Sequence, residues 1–286
     1  MQEKSKSQSR RGGSGNSTYK YLILAIAVMA LISAVIYIFV KKDNEREQQE
    51  VIESKQQQHA EIIEHRENET ELPLGNYVGV LRQNNEVAIV SRNEDEIVAE
   101  IPGYVDGLMV TTLGSGLFEN SSVEVVVIPD SVMRIEDNCF KNCKKLKTII
   151  IPEGVTFLGA HAFDGCESLN QLDIPLGVTR IGAGCFANCT SLSTVNLPSY
   201  LEVLEEDTFR NSAITSAKLY TTFEIHAHAF ADCPNLTVVT IGAITESIDN
   251  TAFDGSENVV INTTENSCAW KYGVEHDFTV IAGKTR

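Results

Sequence analysis

The sequence has little positive charge, and much of what it has lies near the N-terminus. Its 286 residues include 23 Lys and Arg against 39 Asp and Glu, which gives a formal net charge of −16. Residues 43–286 alone contain 16 basic and 38 acidic residues, a net charge of −22. A surface of this sign repels phosphate backbones and anionic lipid. The charge therefore argues against nucleic acid as a partner.

The sequence also lacks the short motifs of common enzymes and metal sites. It has no G-x-S-x-G nucleophile turn, no H-E-x-x-H zinc helix and no glycine-rich phosphate loop. Its seven cysteines form no C-x-x-C pair. His226 and His228 form an H-x-H pair, but we expect both on turns with no matching carboxylate or cysteine. We therefore predict no catalytic residue, no cofactor and no metal site.

What the sequence does have is an internal repeat in its second half. Phenylalanine recurs every 23 residues, and the series continues after one unit that is shortened to 21 residues. Self-similarity at a period of about 20 to 50 residues is typical of a solenoid, whose units bury their apolar faces only against each other. The phenylalanines of this column are Phe140, Phe163, Phe186, Phe209, Phe230 and Phe253.

The unit 169–192 shows how each repeat is expected to fold. It begins with the spacing L-x-x-L-x-L, in which a short strand turns Leu172 and its aliphatic neighbours inward. Pro175 cannot donate a ladder hydrogen bond, so it marks the end of the strand. Gly182 permits a turn that a Cβ atom would hinder.

Cysteine and serine share another column at the same spacing. A column that accepts either residue predicts a small, buried position, because free Cys is commonly a core residue. Stacked rungs lie about 4.8 Å apart, so disulfides between neighbouring cysteines are open but not required. The column contains Cys143, Cys166, Cys189, Ser212, Cys233 and Ser256.

The pattern L-x-x-[LIV]-x-[IL]-P-x-x-V-x-x-[IL]-G-x-x-[AC]-F-x-x-C, clearest in residues 146–189, resembles the BspA-type leucine-rich repeat. The resemblance covers residues 100–262, and residues 101–118 and 267–281 are similar to the ends of such domains. The Asn column of the better-known leucine-rich repeats is missing, which favours the BspA subtype. The resemblance implies a right-handed solenoid on a microbial surface protein that adheres to host or matrix proteins or to other cells, and it implies no catalytic residues.

An uncharged run of 20 residues, Tyr21–Val40, precedes the repeats. A helix of this length spans about 30 Å at about 1.5 Å per residue, which is the thickness of a bilayer core. Basic residues flank both ends, and the run closes in Ile38, Phe39 and Val40 rather than in a small-residue cleavage site. We therefore predict a retained transmembrane helix, a signal anchor; a cleaved signal peptide is the alternative.

The flanking charges also predict the orientation of this helix. Five basic residues precede the run, so the positive-inside rule places the N-terminus and its polar tail, residues 1–20, in the cytoplasm. The repeat domain is then extracellular, on a single-pass protein of the cell membrane. Residues 41–74 are rich in Glu, Gln and Lys and are predicted to form a solvated helical stalk.

The rest of the chain divides into caps and repeats. Residues 75–122 are expected to form an N-terminal cap and an irregular first repeat, with a hairpin that turns at residues 83–85. Residues 123–262 are the leucine-rich repeats and residues 263–286 the C-terminal cap, in which Trp270 is expected to cover the last rung. The predicted fold class is an α/β repeat: a right-handed leucine-rich-repeat solenoid with short parallel strands, preceded by one transmembrane helix and a helical stalk.

Alternate side chains of each predicted strand face outward, so the stacked strands present a stripe of residue pairs. The middle of this stripe is small and polar, which suits a protein or glycan ligand. A solvated sheet face without a ligand is the alternative. The predicted binding residues are Thr148, Gln171, Asp173, Thr194, Asn196, Ser216, Lys218 and Thr240.

These observations together predict a membrane-anchored extracellular leucine-rich-repeat protein that binds a protein or a glycan in adhesion or cell-surface interaction. Two alternatives stay open. One is an accessory or scaffolding subunit of a cell-envelope membrane assembly, and the other is a surface receptor. A cytoplasmic tail of 20 residues leaves a receptor little machinery for signalling.

Overall fold

A computed structural model describes residues 71–82 and 84–283 of the chain. The predicted cytoplasmic tail, the transmembrane helix and all but the last four residues of the predicted stalk lie outside the described residues. Within the described ranges, no helix is long and apolar enough to cross a membrane.

The described chain winds into a stack of turns, each of which contributes one strand to each of two series. Strands of one series pair in parallel with their counterparts on the neighbouring turns. In chain order the strands are β1 (Glu71–Leu74), β2 (Tyr77–Leu81), β3 (Val87–Arg92), β4 (Val98–Glu100), β5 (Tyr104–Val105), β6 (Leu108–Leu113), β7 (Val125–Val127), β8 (Arg134–Ile135), β9 (Thr148–Ile150), β10 (Phe157–Leu158), β11 (Gln171–Asp173), β12 (Arg180–Ile181), β13 (Thr194–Asn196), β14 (Val203–Leu204), β15 (Ser216–Leu219), β16 (Glu224–Ile225), β17 (Val238–Ile241), β18 (Ser247–Ile248), β19 (Val260–Thr263) and β20 (Thr279–Ala282).

The two series form different sides of the solenoid. The longer strands stack in the order β4, β7, β9, β11, β13, β15, β17, β19 and β20, and we call this series the front sheet. Its ladder is interrupted between β9 and β11 and between β13 and β15, although these strands remain side by side. The two-residue strands β8, β10 and β12, followed by β14, β16 and β18, form the second series, the side sheet.

The N-terminal cap is an antiparallel meander of β1, β2 and β3 that continues into β6 and the side sheet. The predicted hairpin is confirmed, because β2 and β3 pair from Tyr77↔Arg92 to Leu81↔Val87. The last four residues of the segment predicted as a helical stalk form β1 instead, because they pair with β2 of the cap.

A third side of each turn connects the side sheet back to the front sheet, and here the structure corrects the predicted α/β class. Residues 123–262 contain strands and turns but no helix. Each connecting segment carries residues at positive φ, between +53° and +74°, and a left-handed residue interrupts a right-handed helix. Such positions favour Gly, Asn, Asp and His, and two columns supply them: Gly116, Asn138, His161, Gly184, Asp207 and His228 in one, and Asn120, Asn142, Gly165, Asn188, Asn211, Asp232 and Gly255 in the other.

The phenylalanine column forms a continuous stack through the core. It begins at Phe118 and ends at Phe253, and neighbouring ring centroids lie 5.2 to 5.7 Å apart with planes within 17° of each other. The shortened unit between Phe209 and Phe230 keeps this geometry, at 5.7 Å and 8°. The loss of two residues is therefore absorbed outside the stack. Offset ring pairs of this kind contribute about 0.5 to 1.5 kcal/mol each beyond their buried area.

The Cys/Ser column forms hydrogen bonds instead of disulfides. All seven cysteines of the chain are free thiols. Cys166 Sγ donates to the carbonyl of Phe140 at 3.2 Å, and Cys189 Sγ donates to the carbonyl of Phe163 at 3.1 Å. Ser256 Oγ donates in the same way to Phe230 O at 2.7 Å. Both residue types thus donate a hydrogen bond to a buried carbonyl of the adjacent turn, which explains why either Cys or Ser can occupy this column.

Substitution of Cys166 tests this hydrogen bond. We expect Cys166→Ser to change the free energy of unfolding by less than about 1 kcal/mol, because serine retains a donor for Phe140 O. Cys166→Val removes the thiol donor, although Phe140 O still accepts from Cys143 N at 3.1 Å, and is expected to cost about 1 kcal/mol more than the serine variant, the net value of one hydrogen bond. Urea unfolding of the two variants provides the comparison. If the valine variant were at least as stable as the serine variant, packing alone would account for the column.

Burial also controls the chemistry of these thiols. It raises the pKa of Cys143 and of Cys189 to about 12, and it raises the pKa of Cys139 and of Cys185 well above the usual value of 9.0. The folded chain therefore keeps these thiols protonated in the range where the unfolded chain ionises them. Stability contributed by these neutral thiols is complete below pH 9 and is lost as the pH rises from 9 towards 12.

Alkylation of the thiols is expected to follow their burial. At pH 8 we expect iodoacetamide to modify the half-buried Cys268 first, because the other six cysteines are buried and protonated. Those six are expected to react only in denaturant. Peptide mass spectrometry of a labelling time course measures both groups, and fast native-state modification of Cys166 would contradict the buried column.

The C-terminal cap contains helix α1 (Cys268–Glu275). Its N-cap is Ser267, whose side chain accepts a hydrogen bond from Trp270 N at 3.1 Å. Trp270 does not cover the last rung as predicted. Tyr272 does, with 5% of its surface exposed and its ring 5.9 Å from that of Phe253. The helical register that Ser267 sets places Ala269 and Tyr272 on the inner face and leaves Trp270 half-buried.

Candidate functional site

The outward side chains of the front sheet form one continuous surface, which we call the strand face. Burial alternates along its strands, as in β9, β11 and β13, where the central residue is covered and the two flanking residues are exposed. All eight predicted binding residues point away from the core on this face. Thr240 is half-buried. The other seven are exposed: Thr148, Gln171, Asp173, Thr194, Asn196, Ser216 and Lys218.

Strand register places the predicted residues in two rows. Gln171 lies opposite Thr194, and Asp173 lies opposite Asn196 in the parallel pair β11–β13. Asn196 Nδ2 donates to Asp173 Oδ1 at 2.5 Å, which fixes the amide and leaves its oxygen directed to solvent. Lys218 and Thr240 continue the same row on β15 and β17. The centre of the strand face is therefore a polar ladder with donors and acceptors at each step.

A groove of about 720 Å³ runs along the strand face between β9 and β11. Thr148, Gln171 and Asp173 line it, together with two exposed apolar side chains. Ile150 is 76% exposed and Leu176 is 66% exposed. Sequence reasoning placed Ile150 outward but did not include it in the site, and Leu176 was missed because it lies in the turn after Pro175. An apolar centre with a polar rim is the anatomy of a protein interface.

The composition of the strand face changes along the stack. At its N-terminal end large apolar side chains are exposed beside Glu100 and Thr148: Val98 and Val127 are each 51% exposed, and Ile150 follows on the next strand. Beyond β9 the outward residues are polar up to Lys218. The groove lies where these two regions meet, so it offers both apolar area and hydrogen-bonding groups.

Lysines flank the groove and are held by acidic partners on neighbouring turns. Lys147, which lines the groove, lies 2.7 Å from Glu124 Oε2, and Lys144 lies 2.8 Å from Glu167 Oε1. The hydrogen bond and the charge of Lys147 lower the pKa of Glu124. Exposed pairs of this kind contribute little to stability. The pair with Glu124 does fix the position of the Lys147 ammonium group at the groove.

The side sheet carries a different pattern that sequence reasoning did not single out. Arg134 lies over the ring of Phe157, with the guanidinium carbon 4.1 Å from the ring centroid, and Arg180 lies 5.9 Å from it on the other side. Parallel register places the three residues on adjacent rungs. Periodic spacing alone would have located this column, since Arg134, Phe157 and Arg180 are 23 residues apart.

The prediction that no carboxylate matches the histidine pair is wrong for His226. Its Nδ1 lies 3.2 Å from Glu205 Oε2, and its Nε2 lies 3.1 Å from Glu224 Oε2. Glu205 comes from the preceding turn, whereas Glu224 lies two residues before His226, at the start of β16. His228 Nδ1 also lies 4.0 Å from Asp207 Oδ1. Across residues 71–82 and 84–283, no three His, Cys, Asp or Glu side chains are arranged to hold a metal ion.

Comparisons with known proteins agree with this architecture. A family model of the BspA type leucine rich repeat region matches residues 111–237 and 223–269, in 6 copies. Among solved structures, the leucine-rich repeat protein of T. pallidum is 21% identical, with a TM-score of 0.57, and the alignment covers 75% of this chain and 100% of that one. No curated protein gives a significant match.

Two further solved structures share the repeat at lower structural similarity. A leucine-rich repeat protein from Bacteroides ovatus is 20% identical with a TM-score of 0.49, over 74% of this chain and 65% of that one. A leucine rich cell surface protein from Faecalibacterium prausnitzii is 18% identical with a TM-score of 0.44, over 74% of this chain and 94% of that one. The family model covers more than half of the chain, and its repeats coincide with the stacked turns described above. The chain belongs to the BspA type leucine-rich repeat family.

Proposed function

We propose that the strand face binds another protein, and that the chain presents this face at a cell surface as a membrane-anchored adhesion or interaction protein. The observation that carries the proposal is the groove between β9 and β11. It combines the exposed Ile150 and Leu176 with the polar Thr148, Gln171 and Asp173. Two large aliphatic side chains are exposed where the apolar and polar regions of the strand face meet, and a bound protein would remove them from water.

A protein ligand fits this surface better than a glycan. No aromatic side chain lines the groove, so it offers no ring on which a sugar could stack. The exposed aliphatic side chains instead match the apolar core of protein interfaces, and the polar ladder at Asp173 and Asn196 matches their rim. Lys147 is paired with Glu124, and Glu153 and Asp173 also line the groove, so the groove has no excess positive charge and its apolar side chains carry the argument for a protein ligand.

Presentation at the cell surface is supported by the sequence that precedes the repeats. The uncharged run Tyr21–Val40 has the length of a membrane span, and its basic flank favours a cytoplasmic N-terminus. The strong negative charge of residues 43–286 suits a domain in contact with solvent rather than with nucleic acid. An extracellular domain of this kind would be degraded when protease is added to intact cells, whereas protection would place it inside.

A photo-crosslinking amino acid at Gln171 tests the binding face. We expect a discrete covalent adduct on intact cells when the full chain carries the crosslinker at Gln171, because this residue lines the groove. The matched control places the same crosslinker at Thr179, which is exposed in the same repeat unit but lies on a different side of the solenoid. Digestion of the adduct with protease or with glycosidase identifies the ligand as protein or glycan.

The second arm of the same experiment removes the apolar centre of the groove. Ile150→Asp is expected to reduce the yield of the Gln171 adduct at least tenfold while leaving the folded structure intact, since Ile150 is largely solvated in the free protein. Equal adducts from Gln171 and Thr179, or an adduct at Gln171 that Ile150→Asp does not change, would contradict the proposed binding face.

A further inference from the structure

The first strand of the front sheet has an open edge. In the described part of the chain, β4 pairs with β7 alone. Val125 N donates to Ile97 O at 3.1 Å, and Ile101 N donates to Val127 O at 3.1 Å, so the odd-numbered residues of this segment face β7. Backbone groups alternate in direction along a strand. The N–H and C=O of Val98 and Glu100 therefore point away from β7, towards the unpaired side.

This edge lacks most of the devices that keep edge strands from pairing. Proteins protect such edges with proline, lysine, bulges or a covering segment. Here β4 has the sequence Val-Ala-Glu, and Val98 is 51% exposed beside Ile97, which is 65% exposed. The unpaired backbone groups and the apolar side chains together form a template for an added strand.

A pocket of about 530 Å³ adjoins the same edge. It lies between the start of β2 and β4, and Asn76, Tyr77, Glu96, Val98 and Glu100 line it. Tyr77 is 5% exposed, and its hydroxyl has no hydrogen-bond partner among the described residues. A buried hydroxyl without a partner is costly in a native structure. The pocket therefore presents an unsatisfied polar atom next to an unsatisfied backbone edge.

The negative charge around the pocket indicates which kind of side chain it would bind. Glu96 and Glu100 line the pocket, and Glu94 and Asp95 precede them in the same loop. Burial, followed by the charge of Glu96, raises the pKa of Tyr77 to about 12, so its hydroxyl is neutral and its oxygen accepts a hydrogen bond at neutral pH. A Lys or Arg side chain donates several hydrogen bonds and accepts none. It matches the hydroxyl oxygen, the Glu100 carboxylate and Glu96 Oε2, since Glu96 Oε1 already accepts from Asn76 Nδ2.

We propose that the open edge of β4 binds an extended basic segment of another protein as an added strand, with one Lys or Arg side chain of that segment in the pocket of Tyr77, Glu96 and Glu100. Main-chain hydrogen bonds to Val98 and Glu100 supply affinity, and the charged pocket supplies specificity, as in other cases of strand addition. This surface adjoins the strand face but uses different groups: backbone atoms of the edge rather than side chains of the groove.

Fluorescence polarisation of the full chain with a labelled Thr-Lys-Val-Lys-Thr-Lys-Val peptide tests the proposal. We expect saturable binding of this peptide and none of the peptide in which glutamate replaces lysine. A lysine peptide with N-methylated backbone amides keeps its charge but loses its donors, and it is expected to bind at least tenfold more weakly. Equal binding of the methylated peptide would reduce the interaction to charge attraction and overturn strand addition, as would failure of the lysine peptide to bind.

Two matched substitutions at Val98 distinguish loss of the edge N–H from other effects of mutation on peptide binding. Val98→Pro removes the N–H that points to the open side, and proline is tolerated at such an edge position. It is expected to weaken peptide binding about tenfold, whereas Val98→Thr keeps the N–H and is expected to bind within twofold of the parent. Equal affinities of the two variants would contradict the proposal.

Substitutions in the pocket test the charge contact. Tyr77→Phe and Glu100→Gln are each expected to weaken the lysine peptide several-fold, and Glu100→Gln is also expected to reduce the dependence of affinity on salt. Thr179→Lys, exposed on a different side of the solenoid, is the control and is expected to leave peptide binding unchanged. If Thr179→Lys weakened the peptide as much as Glu100→Gln, long-range attraction to the acidic domain would replace the assigned pocket.

Discussion

Replacing Phe186 by alanine is expected to lower the free energy of unfolding by about 3 to 5 kcal/mol. Phe186 is fully buried, and its ring lies 5.6 Å from that of Phe163 and 5.4 Å from that of Phe209. Removal of the ring leaves a cavity in the middle of the stack and breaks two ring contacts at once. Urea unfolding of the full chain, followed by circular dichroism, measures the loss.

An exposed phenylalanine of the same chain provides the control. Phe223 is 39% exposed and lies outside the stack. We expect Phe223→Ala to cost about 1 to 2 kcal/mol, less than Phe186→Ala, because more than a third of Phe223 is already in contact with water and its ring makes no contact in the stack. A similar loss for both variants would mean that the stack does not hold the turns together.

Substitution of Gly182 by alanine is expected to destabilise the chain by about 3 kcal/mol. A Cβ atom at Gly182 would overlap the backbone nitrogen and Cα of Ala160 on the preceding turn. Backbone atoms in a stacked turn have no alternative rotamer, so the two turns must separate. The same urea titration measures the effect, and thermal unfolding is expected to shift in the same direction.

Gly177 in the same repeat unit is the matched control. A Cβ atom there would lie 3.5 Å from Glu153 O and 3.6 Å from Val155 O, which is ordinary contact. We expect Gly177→Ala to change stability by less than about 1 kcal/mol, in part because alanine restricts the unfolded chain. Equal effects at Gly177 and Gly182 would show that the close approach of the turns is not what requires glycine.

The core of the solenoid could be predicted from sequence because each core position recurs. The phenylalanine spacing located the stack, and the position of Pro175 located the end of a strand, where Pro175 O accepts a hydrogen bond from Val178 N at 3.1 Å. The role of Gly182 was only partly predicted. Glycine is needed there because of the backbone of the preceding turn, and contacts between turns are not visible in one unit.

The misassigned features are those that occur once or depend on partners from other turns. Trp270 was expected over the last rung, but the register of α1 is set by Ser267 and brings Tyr272 onto Phe253 instead. Of the acidic neighbours of His226, Glu205 comes from the preceding turn and has no local signal, whereas Glu224 is two residues away in sequence and was overlooked. The α/β class failed because residues at positive φ, not helices, reverse the chain within each repeat.

The candidate site was predictable in outline but not in its centre. Strand alternation placed residues such as Gln171 and Asn196 on the outer surface, and the structure finds them exposed there. The groove depends on Leu176, which lies in a turn and belongs to no alternating pattern. Repeated positions thus build the scaffold, whereas the apolar centre of the strand face arises from residues that the repeat leaves free to vary.

Hydroxyl-radical footprinting on intact cells tests the proposed binding face most directly. Ile150 and Leu176 are exposed on the strand face, and Met133 and Phe223 are exposed away from it, so all four side chains are oxidised in the purified chain. If the strand face binds a protein at the cell surface, oxidation of Ile150 and Leu176 on cells will fall several-fold relative to the purified chain, while oxidation of Met133 and Phe223 will not change. Unchanged oxidation of Ile150 and Leu176, or equal protection of all four residues, would contradict this account.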